Sequence, residues 1–334
     1  MMTTSRRVPL HFLLLAAAPL APLGAQQPVA TSATTTTSRV PIERVDAVFG
    51  RFAGTTAPGC AVGVSEDGRA VMTRAYGMAD LEHDVANTPA TIFEAGSVSK
   101  QFTAAAIVLL AQEGKLSLDD EARKHVPELP DYGKPITIRH LLTHTSGLRD
   151  WGSVAAIGGW PRGTRTYTHA HVLDIAGRQK ALNYAPGMYY SYTNTGYNLL
   201  AVIVDRVSGM PFAQFTRTRL FEPLGMTSTQ WRDDYARVVK GRAIAYRPGA
   251  GGQWRMDMPF EQVHGNGGLL TTVDDMLKWT ENLRTGAVGG PKFLEEMHRQ
   301  ARLTSGRQIE YARGLYVTTH RGVREVSHGG ATAG

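Results

Sequence analysis

The chain has 334 residues, 42% of them hydrophobic and 19% charged, with a formal net charge of +7. That length and balance fit a globular protein with a substantial core and exclude a disordered or fibrous chain. The basic residues are scattered rather than blocked together, which argues against nucleic acid as a partner.

At the N-terminus, Arg6 and Arg7 precede the apolar run from Leu13 to Ala18, and small residues follow up to Ala25. This is the layout of a secretory signal peptide over residues 1–25, so a secreted or periplasmic product is expected. The run is short and broken by Pro19 and Pro22, so no stable membrane span is expected. The Arg6-Arg7 pair leaves both general and twin-arginine export open. Residues 26–41 are Thr-rich and read as a flexible tether. Cys60 is the single cysteine, which excludes an intramolecular disulfide; it sits in the apolar run PGCAVGV and reads as a buried structural thiol.

Ile42, Val45, Val48, Phe49 and Phe52 recur on one face and predict a helix over 41–52. In CAVGVSEDGRAVMTRAYG, two strand-like runs flank Asp67-Gly68, a strong hairpin signal. Ser97 to Gln112 is apolar nearly all round, which marks a buried helix, with Gly114 as its cap. Helical and loop patterns then continue to about residue 285, and strand signals return at GLYVTTH and GVREVSHGG. The expected class is α/β (α+β). An antiparallel sheet flanked by helices would take residues from about 42–95 and 290–334, its first hairpin and last strands sharing one sheet. A mostly helical lobe would take about 96–289, with the active site in the cleft between them.

Ser97 and Lys100 stand three apart at the mouth of the apolar helix, so their side chains share a face. A serine hydroxyl becomes a nucleophile when a base takes its proton. A lysine can do so only when neutral, which needs a shift of about 3 pKa units from the reference value. The apolar helix behind Lys100 can supply that desolvation.

Taken with its surroundings, FEAGSVSKQFTAAAIVLLAQEGKLSLDD followed by ITIRHLLTHTSGL resembles the serine β-lactamase-related hydrolases. These include class C β-lactamases, D,D-peptidases, D-stereospecific peptidases and β-lactamase-type carboxylesterases. YAPGMYYSYTNTGYNLLAVIVDRVSG, FEPLGM, GNGGLLTTVDDMLKW and VSHGGATAG extend the likeness over residues 42–334. The resemblance implies a β-lactamase/transpeptidase-like fold and three motifs around one serine. Ser97 would be acylated, and Lys100 and Tyr192 would share the proton transfers. Asn194 would donate to Lys100 or to the substrate. His328 would supply a polar or cationic group at the cleft edge. Gly329 and Gly330 would let substrate lie against the strand, and the backbone N–H groups of Ser97 and Ala331 would form the oxyanion hole. No cofactor or metal is implied.

Other readings attach to single residues. Tyr189, Tyr190 and Tyr197 read as packing residues and Ser99 as a helix-turn neighbour. His140 and His144, four apart on a predicted helical face, have a spacing that suits a metal. Leu141 stands where a zinc protease needs glutamate, and no third ligand is near, so a structural role is expected. The glycines of GNGG at 265–268 read as a tight turn before a helix starting near Thr272. The third motif stands close to Gly334, whereas the resemblance implies further strands and a final helix. The sequence is therefore expected to be a fragment, with the His328 strand an exposed edge. The expected function is hydrolysis of an ester or amide through an acyl-enzyme. The substrate would be a small ester, a β-lactam or a peptidoglycan-derived peptide. The competing expectations are a non-catalytic penicillin-binding or sensor module and an inactive fragment of a longer hydrolase.

Overall fold

The computed structural model describes residues 40–332. The leader and most of the Thr-rich tether lie outside these residues. Helix α1 (Ile42–Phe49) runs into a tight turn ending at Phe52. It meets the first hairpin through Asp46 and Phe49. Tyr76 donates to Asp46 at 2.6 Å and stacks on Phe49 at 5.6 Å. That face turns Val48, expected on the apolar side, out to solvent.

Strands β1 (Cys60–Glu66) and β2 (Arg69–Tyr76) form the hairpin predicted around Asp67-Gly68. Both loop residues have positive φ, +48 and +77, as a two-residue turn that follows the strand twist requires. Cys60 is half-buried, and burial raises its thiol pKa. Then come β3 (Met78–Asp80), β4 (Val85–Ala86), β5 (Phe93–Glu94) and helix α2 (Lys100–Gln112). Helices α3 (Ile138–Leu142), α4 (Trp151–Ile157), α5 (His169–Gly177), α6 (Asn194–Ser208) and α7 (Phe212–Thr216) follow. Strands β6 (Gln230–Trp231), β7 (Tyr246–Pro248), β8 (Trp254–Met256) and β9 (Leu269–Thr271) come next. Helices α8 (Val273–Thr285) and α9 (Gly290–Met297) precede the hairpin β10 (Tyr316–His320) and β11 (Val323–Ser327).

The core is built round α2. Phe102 and the run Ala104–Leu110 are all buried, and α6, α7 and α9 pack against it. Phe102 lies 4.3 Å from the Trp279 ring and 5.6 Å from Phe221, centroid to centroid. A helix apolar all round is stable only when enclosed, and that enclosure fixes the position of its first turn. Helix α8 starts at Thr272, whose side chain accepts from Asp275 N–H, and packs on β1 and β2.

The sheet differs from expectation. The first and last hairpins are separate two-stranded sheets among the described residues. A three-stranded sheet, β5-β9-β6, lies instead beside the start of α2. The segment expected to be helical, 96–289, therefore carries strands β6 to β9, and α9 falls in the segment expected to be sheet. Strands of two or three residues are too short to show an alternating pattern, so periodicity misses them.

Candidate active site

Strand β5 ends at Glu94, and the chain turns through Gly96, at φ +53, into a short tight helix carrying Ser97. Lys100 opens α2 immediately after it, fully buried. Its Nζ lies 3.0 Å from Ser97 Oγ, 2.9 Å from Asn194 Oδ1 and 2.7 Å from the Asn266 carbonyl oxygen. Burial pulls the Lys100 pKa down to about 7, with Asp150 opposing and Arg162 assisting. The contacts suit the neutral amine. Two carbonyl oxygens can only accept, so they take its two N–H groups. The lone pair is then left facing the Ser97 hydroxyl.

Tyr192 stands across the cleft, partly exposed, with Lys100 Nζ 4.7 Å from its ring centroid. Burial pushes its pKa up to about 12, against the effect of a hydrogen bond to Ser97. At neutral pH it is therefore a proton donor, and the lysine is the group that can be uncharged.

Asn194 opens α6, and its backbone N–H donates to Asp150 Oδ2 at 2.7 Å. Its side-chain oxygen accepts from Lys100, which corrects the first of its two expected roles, donation to Lys100, and leaves its amide N–H groups for the second, donation to a substrate. The reason is that Lys100 brings only hydrogens to that oxygen.

The segment after β11 approaches Ser97 from the other side. A side chain at Gly330 would drive into Ala95 O and come within 3.0 Å of Ser97 N. One at Gly96 would come within 2.8 Å of Ala331 N. The backbones of 96–97 and 330–331 thus lie against one another. Gly329 meets open space instead. His328 Nε2 pairs with the Tyr311 hydroxyl at 3.0 Å, and its ring centroid is 6.2 Å from that of Tyr192. Burial and Lys100 both lower its pKa, so it stands as a neutral polar ring rather than the cation considered from sequence.

A cleft of about 80 Å³ is lined by Ser97, Tyr192, Asn194, Asn266, Arg162 and Ala331, among others. Two larger hollows, of about 950 Å³ beside β11 and 790 Å³ beside β1, are not lined by the Ser97–Lys100 pair, although the first is lined by Val98 and His328.

Several contributors were not singled out in the sequence. Asn266 acts through its backbone carbonyl, while its Oδ1 accepts from Asn198 at 2.7 Å. Asp150 orients the start of α6. Arg162 lines the cleft and forks onto Glu261, with Nε and Nη2 each 2.5 Å from a carboxylate oxygen. Beneath the turn that carries Ser97, buried Glu94 accepts from Arg232 at 2.9 and 3.0 Å and from Arg242 at 3.1 Å. Ser99, which the sequence marks as a helix-turn neighbour, accepts at Oγ from Leu269 N–H and ties β9 to the same turn.

His140 and His144 do not share a helical face. Helix α3 ends at Leu142, and His144 turns into the left-handed region at φ +56. His140 Nδ1 accepts from Thr137 N–H in a cap, and His144 Nδ1 accepts from Thr193 N–H.

Comparison with known proteins decides the family. A model of the Beta-lactamase family matches residues 45–334. The chain belongs to the beta-lactamase family. It is 30% identical over 256 residues to a putative penicillin-binding protein, PbpX, of Bacillus subtilis, covering 76% of this chain and 61% of that protein. It is 29% identical over 281 residues to a D-aminopeptidase of Brucella anthropi, covering 83% of this chain and 52% of the other. The chain thus spans between half and two-thirds of the length of these two relatives. Among solved structures, an octameric penicillin-binding protein homologue from Pyrococcus abyssi superimposes with a TM-score of 0.76 at 28% identity, covering 87% of this chain and 68% of that one. A D-amino acid amidase from Ochrobactrum anthropi SV3 shares the fold, with a TM-score of 0.68 at 24% identity, covering 81% of this chain and 78% of that one. This beta-lactamase-family chain is thus a mixed α/β protein of the β-lactamase/transpeptidase-like kind.

Proposed function

We propose that this beta-lactamase-family chain is a secreted serine hydrolase that forms an acyl-enzyme on Ser97. The observation that carries the reading is the buried Lys100 amine, 3.0 Å from Ser97 Oγ with a pKa near 7. In acylation, the Ser97 proton passes to Lys100 Nζ as Oγ bonds to the substrate carbonyl carbon. The carbonyl oxygen takes the electron pair and is met by the N–H groups of Ser97 and Ala331. Collapse of that intermediate expels the alcohol or amine, which takes a proton from Tyr192 or Lys100. Water then enters by the same route in reverse and releases the acid.

The substrate class we favour is a D-amino acid amide or short D-peptide, with simple esters as surrogate substrates. Names of relatives support it, since a D-aminopeptidase and a D-amino acid amidase are among the similar proteins. The third motif carries His328 rather than the lysine of the K-T-G form, which weighs against β-lactams as the main substrate. Secretion rests on Arg6, Arg7 and the apolar run after them. N-terminal sequencing of exported protein tests it.

The test of the reaction compares a p-nitrophenyl ester, a D-amino acid amide, a D-Ala-D-Ala peptide and a chromogenic cephalosporin, with Ser97→Ala as control. The reading expects turnover of the ester and amide that Ser97→Ala abolishes. Stable labelling of Ser97 by a penicillin without turnover would favour a non-catalytic binding module instead.

A further inference from the structure

His144 is fully buried, charged in neither motif nor mechanism, and held in a backbone conformation that side chains rarely adopt, at φ +56. Two hydrogen bonds account for its position. Its carbonyl oxygen accepts from Ser191 N–H at 2.9 Å, and its Nδ1 accepts from Thr193 N–H at 3.2 Å. Residues 191 and 193 flank Tyr192. The imidazole itself lies against the phenol ring, centroid to centroid at 4.2 Å.

Because Nδ1 accepts, the ring proton sits on Nε2. That atom is buried without a hydrogen-bond partner, and the imidazole is ringed by Tyr190, Tyr197 and Tyr311, at 6.0, 5.1 and 4.6 Å between ring centroids. Burial and the nearby Lys100 hold the imidazole neutral, so it keeps the acceptor that Thr193 needs. A buried polar atom left without a partner is costly, and such a cost persists where a second contact requires the residue. The neighbouring chain is fastened in the same place, with Gly187 N–H donating to Thr145 O at 2.8 Å and Asn183 N–H to Gly147 O at 2.9 Å.

We infer that His144 is a positioning residue for Tyr192, gripping the chain on both sides of the phenol and backing its ring. It acts through Tyr192 and touches no reacting atom. This rests on the reading of Tyr192 as a proton-transfer group.

The experiment is a double-mutant cycle with His144→Leu, His144→Asn and Tyr192→Phe, measuring kcat and KM for a p-nitrophenyl ester alongside thermal stability. Asparagine tolerates the left-handed backbone and places an acceptor oxygen where Nδ1 stands. The expected result is a loss of about 10–100-fold in kcat for His144→Leu with KM little changed. His144→Asn should recover most of the rate. In the Tyr192→Phe background, His144→Leu should cost little more. Full losses that multiply in that background, or His144→Asn as slow as His144→Leu in a folded protein, would overturn the inference. Amide hydrogen exchange gives an arm independent of turnover. Thr193 N–H should exchange faster in His144→Leu but stay protected in His144→Asn, and unchanged exchange in His144→Leu would overturn the inference. Should Tyr192→Phe alone leave kcat intact, the proton-transfer reading of Tyr192 fails, and the exchange arm still decides whether His144 holds the segment.

Discussion

In the proposed reaction a single amine decides the chemistry at the residue scale. Lys100 reaches a pKa near 7 because α2 and its neighbours enclose it. A fall of roughly 3 units from the reference value is on the order of 4–5 kcal/mol of preference for the neutral form. Replacing Lys100 by methionine should lower kcat/KM by ~10³-fold or more while the protein stays folded, as steady-state kinetics and a melting curve would show. Asn194→Asp tests the electrostatics. A carboxylate 2.9 Å from the amine favours the ammonium, so the pH at which activity reaches half its plateau should move up by about 1–3 units. An unmoved or lowered midpoint would mean that Lys100 is not the titrating base. The Ser97–Lys100 pair was legible in the sequence because its spacing puts both side chains on one face and the motifs around it single it out. Asn266 was not, because a backbone carbonyl leaves no trace in residue type. His144 was legible as a structural residue, but its partner Thr193 lies far along the chain.

At the scale of elements, the site is a meeting of β5, the turn before α2, and the segment after β11. Contact between them is close enough that Gly330 has no room for a side chain. Gly330→Ala should push the 330–331 backbone away from Ser97 N–H and cost ~10²–10³ in kcat, the usual loss for one oxyanion donor. Gly329→Ala should cost much less, since its added carbon meets open space. Equal losses at the two positions would deny the difference in packing. The sequence had treated both glycines alike, as places where substrate lies on the strand. It did show the hairpin at Asp67-Gly68 and helices α2, α6 and α8, whose patterns run for thirteen residues or more in the helices. The short strands β5, β6 and β9 escaped because each is fixed by its neighbours across the fold rather than by its own period.

For the molecule as a whole, the turn that carries Ser97 rests on a buried ionic base. Glu94 serves both Arg232 and Arg242, and all three are largely withdrawn from water. Removing the carboxylate leaves two buried cations without their partner. Glu94→Gln should therefore destabilise the protein by ~3–5 kcal/mol, seen as a lower denaturant midpoint. A midpoint within error of the parent would show that the arginines find water or another partner. This support was invisible in the sequence, since Glu94 and Arg232 are 138 residues apart and each alone reads as a surface charge. The opening and closing hairpins were legible from patterning, but the stretch between them is not all helical, since it carries strands β6 to β9. The separation of the first and last hairpins into different sheets was not legible, because strand propensity does not say which strand pairs with which.

The most direct test of the central claim is the rate of covalent acylation of Ser97 by a neutral reactive ester, followed by intact mass from pH 5 to 10. The account predicts a single adduct, absent in Ser97→Ala, whose formation rate climbs tenfold per pH unit and levels off near pH 7. A rate that keeps climbing to pH 10, or an adduct that survives Ser97→Ala, would contradict it.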